Sequence, residues 1–330
     1  MNLLVPHFVS SLLVHALLSG VLCTAAMAAE PAALKTEPSV RAAHAAHAKL
    51  LAGSRAGGRI VAVGDHGVVL LSDDEGMSWR QAKAVPVDVQ LNAVSFADAR
   101  QGWAVGHWGV VLHTDDGGET WAMQRRATGE DRPLFGVHFF DAKHGVAVGL
   151  WSLVLTTEDG GSSWKQSVLP VPAGAKKADL NLYGLFGTER GELYATSERG
   201  TLLHSPDRGQ SWSYIATGYR GSFWTGTGLA DGSVVVAGLR GTIYRSANGR
   251  DAWTKVESGT SASIASVKVA REGGQDRIVA AAVDGTVLRS ADAGASFQRD
   301  AARTGQPSLT ALVVGKSGQA VLLSRDGPVK

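Results

Sequence analysis

The chain has 330 residues, 44% of them hydrophobic, with 41 glycines and one cysteine. That is apolar material for a sizeable core in one or two domains, and so many glycines with few helical stretches favour a turn-rich all-β protein. Lys plus Arg (32) nearly balances Asp plus Glu (30), so no global charge draws the chain to nucleic acid.

Residues 1–29 read as a secretory signal: an apolar run from Phe8 to Leu22 precedes the small-residue cleavage pattern Ala26-Met27-Ala28. The run is too short for a confident membrane span, and only His7, with no Lys or Arg, stands before it. Cys23 lies inside this segment after Gly20-Val21-Leu22, which does not suit a lipoprotein signal. The expectation is export across the inner membrane to the periplasm as a cysteine-free mature chain. Residues 30–47 are Ala-rich and polar. His44 and His47 have no acid or Cys nearby in sequence, so a solvated connector is favoured over a metal pair. The same stretch is the candidate for a strand that closes a ring.

From residue 48 a repeat takes over. Its clearest mark is Thr114-Asp115-Asp116-Gly117-Gly118-Glu119-Thr120-Trp121, read as Ser/Thr-x-Asp-x-Gly-x-Ser/Thr-Trp. It recurs at 72–79, 157–164 and 205–212, and in weaker form at 246–253 and 290–297. The third positions, Asp74, Asp116, Asp159, Asp207, Asn248 and Asp292, are spaced by 42, 43, 48, 41 and 44 residues, a period that marks propeller blades. Each residue type has a structural job. The carboxylate accepts backbone N–H groups of its own turn, Gly at the fifth position permits φ > 0, and the Trp buries a ring against the blade. These acids are therefore read as structural, not catalytic.

Between boxes the grammar is three short β-rich segments and a closing one, as in 91–96, 102–105, 110–113 and 121–125. Six boxes but seven unit starts are visible. Since an open ring would leave unpaired strand edges, the expected fold is all-β, a seven-bladed β-propeller of four-stranded blades with Asp-box turns over residues 48–330. Its last blade is expected to be completed by residues 30–47, and six blades is the alternative.

Calling the strands of a blade A to D, the boxes are C–D turns. The variable B–C and D–A connections share the opposite face, where function is expected. There Trp108 and Trp151 stand at neighbouring B–C tips, either as interface anchors or folded over the blade seam. Basic residues gather on the same connections: Arg125, Arg126, Arg132, Lys176, Lys177, Arg199, Arg220 and Arg240. As a set they form a face able to steer an acidic partner or an anionic surface.

Units such as Gly102-Trp103-Ala104-Val105-Gly106, followed by 109–118, give residues 50–330 a resemblance to the photosystem II stability and assembly factor family of BNR/Asp-box propellers. The resemblance implies a non-catalytic scaffold without cofactor or metal, whose partner is an envelope membrane protein or complex: a photosystem in the thylakoid lumen of a photosynthetic organism, or a membrane transporter elsewhere. It implies neither a nucleic-acid partner nor a small-molecule substrate. The competing class is a sialidase-like glycosyl hydrolase, which carries the same boxes. That chemistry needs three arginines, a Tyr–Glu pair and an acid Asp. Here the early Arg-Ile-Pro motif is absent, and Tyr183, Tyr194, Tyr214, Tyr219 and Tyr244 show no evident Glu partner.

Overall fold

The computed structural model describes residues 37–126, 129–300 and 307–329. The segment expected to be a signal, residues 1–29, lies outside them. Among the described residues no helix is long and apolar enough to cross a membrane, and no group of three or more His, Cys, Asp or Glu could hold a metal ion.

Seven antiparallel sheets follow one another along the chain, six of four strands and the last of three. Each is a meander in which every strand pairs with the next. The A strands are Leu50–Ala56, Leu91–Phe96, Leu134–Phe139, Leu182–Gly187, Phe223–Gly228, Ile264–Glu272 and Leu309–Val314. Each touches the A strand of the next sheet, and the seventh touches the first, so the sheets are the blades of a closed ring. Six blades is excluded. The B strands are buried along nearly their whole length, as in Gly102–Gly106 and Val234–Gly238. They are sandwiched between neighbouring blades and therefore read as continuous apolar runs. The core sits in these seams: Val61, Val63 and Leu71 of the first blade pack with Leu91, Val94 and Leu112 of the second.

The carboxylate bonds of the boxes repeat wherever the consensus holds, while the indole bond is missing at Trp164, whose Nε1 has no partner among the described residues. In the second blade Asp116 accepts the Thr120 amide (2.9 Å) and hydroxyl (2.6 Å) and the Thr114 hydroxyl (2.8 Å). The Gly118 amide donates to Thr114 Oγ1 and Trp121 Nε1 donates to the Gly118 carbonyl. Gly118 has φ +90°, and a Cβ there would press on Leu71 and Val61 of the first blade, so the turn is glycine for two reasons. Asp74, Asp159, Asp207 and Asp292 repeat the pattern. The box at 246–253 does not. Arg250 stands where the glycine belongs, the left-handed residues move to Gly249 and Ala252, and the Gly249 amide takes over the bond to Ser246 Oγ.

Among the described residues the ring closes without the expected strand. The described part of the connector, 37–47, holds no strand, and among the described residues the last sheet pairs only with itself; the rest of the expected closing segment, residues 30–36, lies outside the description. Instead a 3-10 turn, Ala45–His47, sits against the third strand of the last blade and the fourth strand of the first. Ala45, Leu50, Ile60 and Leu70 then pack with Ala311, Val313, Val321 and Leu323. A polar clasp adds to this seam: Glu75 takes a two-pronged bond from Arg55 and accepts the Lys316 amide (2.9 Å) and Gln319 Nε2 (3.1 Å). The A–A and B-strand contacts of this seam bury apolar area that holds the first and last blades together.

Gly53 tests that seam. A Cβ there would lie 2.5 Å from Val313 Cγ2 and 2.9 Å from Leu323 Cδ1. Gly53→Val is expected to cost about 1–3 kcal/mol through overpacking and to lower the thermal midpoint by several degrees. Gly129→Ala, with nothing within 4 Å, should leave it unchanged; equal midpoints for both variants would place closure elsewhere.

The boxes also set an acid limit. Hydrogen bonds from the Ser78, Ser163 and Ser296 hydroxyls, then their amides, hold Asp74, Asp159 and Asp292 down to about 2. At Asp116 and Asp207 burial opposes the shift and the corresponding bonds outweigh it. The usual value is 3.8, so between pH 4 and 2 the unfolded chain binds more protons than the folded one. The stabilisation is complete above the unfolded pKa and is lost as pH falls through the folded one. Urea midpoints should therefore fall steeply from about pH 4 towards 2, and Asp159→Asn with Asp292→Asn should lower the midpoint at pH 6 while flattening that acid slope.

Candidate binding face and channel mouth

Five of the B–C turns put a bulky residue into the left-handed region: His66 (φ 54°), Trp108 (56°), Trp151 (52°), Arg199 (57°) and Arg240 (56°). Each is the middle residue of a tight turn whose next residue, Gly67, Gly109, Ser152, Gly200 or Gly241, is also left-handed. A side chain in this region costs about 1–2 kcal/mol relative to the right-handed one. The turns are held by the following D–A connection: the Gly67, Ser152 and Gly200 amides donate to the Val89, Leu180 and Gly221 carbonyls. A Cβ at Gly200 would sit 2.0 Å from the Tyr219 carbonyl, so only glycine lets the connection pass this close.

That crossing brings the backbones of three arginines near one another. Arg220 lies between Tyr219 and Gly221, both against Gly200, and so beside Arg199. Leu239, next to Arg240, donates its amide to the Ser222 carbonyl (3.1 Å). The side chains of Arg199, Arg220 and Arg240 are exposed and have no ion pair or hydrogen bond among the described residues. The nearby Glu198 carboxylate accepts the Asn181 amide (3.1 Å).

The remaining basic residues are not equivalent to these. Arg125 donates to the Gly109 carbonyl (2.6 Å), and burial followed by the Arg132 charge pushes its pKa below the usual value. Arg132 is occupied by the Leu150 (3.2 Å) and Trp151 (2.8 Å) carbonyls, so it braces a turn. Lys177 pairs with Asp179 at 3.6 Å, Lys176 is exposed, and Arg126 is exposed at the end of its blade's outer strand. The eight cations expected to form one arc thus resolve into a free trio and a set partly committed to the fold.

The two tryptophans also separate. Trp108 is half-buried and packs on the seam cluster of the first two blades, its amide bonded to Asp131 (2.6 Å), which also meets His107 Nδ1 at 2.8 Å. For Trp108 the anchor reading gives way to the seam reading. Trp151 remains 48% exposed.

The sequence reading missed the mouth of the central channel. The second residues of the A strands, Leu51, Phe135, Tyr183, Trp224 and Thr310 among them, line its upper part. Phe135 and Tyr183 are neighbouring rings, 6.3 Å apart. A wider cavity of about 580 Å³ opens at this mouth between Tyr183, Trp224, Leu51, Leu239 and Val283. In sequence these aromatics are indistinguishable from core, because lumen-facing and seam-facing residues alternate within one apolar strand.

The opposite face holds a group relevant to the enzyme alternative. Tyr194 Oη lies 3.4 Å from Glu192, which also meets Arg250 (2.9 Å) and His204 (3.7 Å). The expectation that no tyrosine has a Glu partner is thereby corrected. The tyrosine is fully buried, and burial, then the Glu192 charge, pushes its pKa up. A phenol driven away from its phenolate is the reverse of an activated nucleophile.

The family model for the photosynthesis system II assembly factor YCF48 matches residues 56–129 and 124–280. The chain belongs to this family. A comparison with curated proteins returns no match. Among solved structures, YCF48 bound to D1 peptide is similar over 90% of this chain and 97% of its own, with 20% identity and a TM-score of 0.70. YCF48 from Cyanidioschyzon merolae gives 89% and 95%, 20% identity and 0.66. The GH74 xyloglucanase from Xanthomonas campestris gives 89% and 53%, 15% identity and 0.67. These structures establish the fold; the family model separates an assembly-factor lineage from the glycosidase alternative, which is not favoured.

In this YCF48-family chain the strain at the B–C tips is measurable. Arg199→Gly with Arg240→Gly removes the left-handed penalty that Arg199→Ala with Arg240→Ala retains. The glycine pair is expected to be more stable than the alanine pair by about 1 kcal/mol or more in urea unfolding. A less stable glycine pair would show that the turns carry no strain.

Proposed function

We propose that this chain is a non-catalytic assembly factor which, outside the inner membrane, holds an acidic segment of a membrane-complex subunit against the Arg199–Arg220–Arg240 trio. The observation that carries the reading is the trio itself: three unpaired guanidinium groups gathered by backbone bonds, two of them on strained turns. Strain of this kind persists where surrounding structure over-determines it and clusters at binding sites. Unpaired arginines present planar forks suited to carboxylates. Family membership supports the assembly role, and a structure of similar fold, YCF48 bound to D1 peptide, is consistent with a peptide partner. The exported location rests on the leader sequence. Trp151, exposed on the turn of the blade before the one that carries Arg199, supplies an apolar contact at the rim.

Arg199→Glu with Arg220→Glu and Arg240→Glu should leave the fold intact, since exposed changes usually move stability by less than about 0.5 kcal/mol each. Binding to the partner isolated by crosslinking from envelope membranes should weaken mainly through slower association, and the difference should shrink as salt rises. Trp151→Ala should speed dissociation with little salt dependence. Wild-type kinetics in the triple variant would remove the trio from the interface, and turnover of a fluorogenic glycan panel would restore the enzyme reading.

A further inference from the structure

The central channel contains one charge that the fold leaves uncompensated. Lys268, the fifth residue of the sixth A strand, lines a cavity of about 180 Å³ enclosed by all seven A strands. Its side chain is open to the lumen, while the depth of protein around it pushes its pKa below the usual value. It has no ion pair or hydrogen bond among the described residues. The described residues lining the cavity include no Asp or Glu. Its charge is felt by His138, which burial, then the Lys268 charge, pushes down to about 4, so the imidazole is neutral near pH 7 and supplies no counter-charge.

This cavity is continuous with the apolar mouth. Leu51, Tyr183, Trp224, Ala265 and Thr310 line both. Ala265 stands at mouth level and Lys268 three residues further along the same strand, roughly 10 Å deeper at the usual strand rise. The channel is therefore a funnel with an apolar entrance of rings and aliphatic side chains and a single ammonium group at depth. An enclosed ammonium without a partner is costly, and the cost is offset by an anion held at hydrogen-bonding distance.

We infer that the funnel is a binding site for a carboxylate carried on an apolar body, the body against Tyr183 and Trp224 and the carboxylate on Lys268 Nζ. The same chemistry is offered by a free aliphatic or aromatic acid and by a polypeptide ending in an apolar residue. The site is separate from the arginine trio on the rim and does not depend on that reading.

The experiment titrates the full purified chain by calorimetry with hexanoate and benzoate, with their neutral amides, and with short peptides ending in Leu or Phe as free acid or amide. Saturable binding of the acids, with the matching amides about tenfold to hundredfold weaker, is expected from one charge-assisted bond. Lys268→Met should abolish the preference for acid over amide while keeping or raising the thermal midpoint, because it removes an enclosed charge. Lys268→Arg should retain the preference, and Trp224→Ala should weaken acids and amides alike. Tighter binding of free acids assigns the site to a small molecule, and tighter binding of the free-acid peptides assigns it to a partner's chain end. Acids no better than amides, no saturation at millimolar ligand, or unchanged acid binding in Lys268→Met would overturn the inference. The arginine triple variant should bind the acids normally, so failure here and failure of the rim interface are read independently.

Discussion

The architecture depends on a carboxylate that ties a turn to itself and thereby presses one blade on the next. Asp116 collects a hydroxyl from each end of its turn and an amide from the far end, which leaves Gly117 and Gly118 left-handed. Gly118 then meets Leu71 and Val61 of the preceding blade; Gly209 meets Val146 and Gly294 meets Val235 in the same way. Gly76 of the first box lies on Val321 of the last blade, so this contact also spans the point where the ring closes. A local hydrogen-bond motif is in this way converted into a between-blade packing motif. The conversion explains why a box can drift, as at Asn248, where Gly249 still packs on Tyr194 and Val234. What must be kept is a small left-handed residue facing the previous blade, not the full consensus.

This dependence also sets what could be seen from sequence. The boxes were legible because every partner of Asp116 lies within four residues of it. The blade number was legible because seven A-strand starts repeat with a shared period. Closure was not, because it depends on which residues meet across 260 positions, as Thr310 and Leu50 do. A connector that packs as a single 3-10 turn has no periodic signature to distinguish it from a strand. The Tyr194–Glu192 pair could have been found, since residues two apart on a strand share a face. The mouth aromatics could not, because a strand buried on one side by a seam and on the other by a lumen is apolar throughout.

The arginines show the same limit in another form. Counting cations along the D–A connections gives a basic face, but charge is useful to a partner only where the fold has not already used it. Arg132 neutralises carbonyls of a strained turn, and Arg125 is drawn inward to the Gly109 carbonyl. Arg199, Arg220 and Arg240 differ only in what surrounds them, and that surrounding is made by connections crossing over turns, not by neighbours in sequence.

The two faces consequently obey different economies of conformation. On the box face the non-glycine left-handed residues, Glu75 and Arg208 among them, sit in turns whose hydrogen bonds compensate the strain internally. On the opposite face the turns at 66, 108, 151, 199 and 240 hold large side chains left-handed, braced by backbone bonds from the next connection and at several tips by side chains such as Asp131, Arg132 and Ser263. Asn or Gly would relieve each of these tips at no cost to the blade. That they carry His, Trp and Arg instead means the side chains projected there are worth more to the protein than the strain they impose. At Trp108 the return is visible as seam packing. At Arg199 and Arg240, whose exposed side chains have no ion pair or hydrogen bond among the described residues, no such return is visible within the fold.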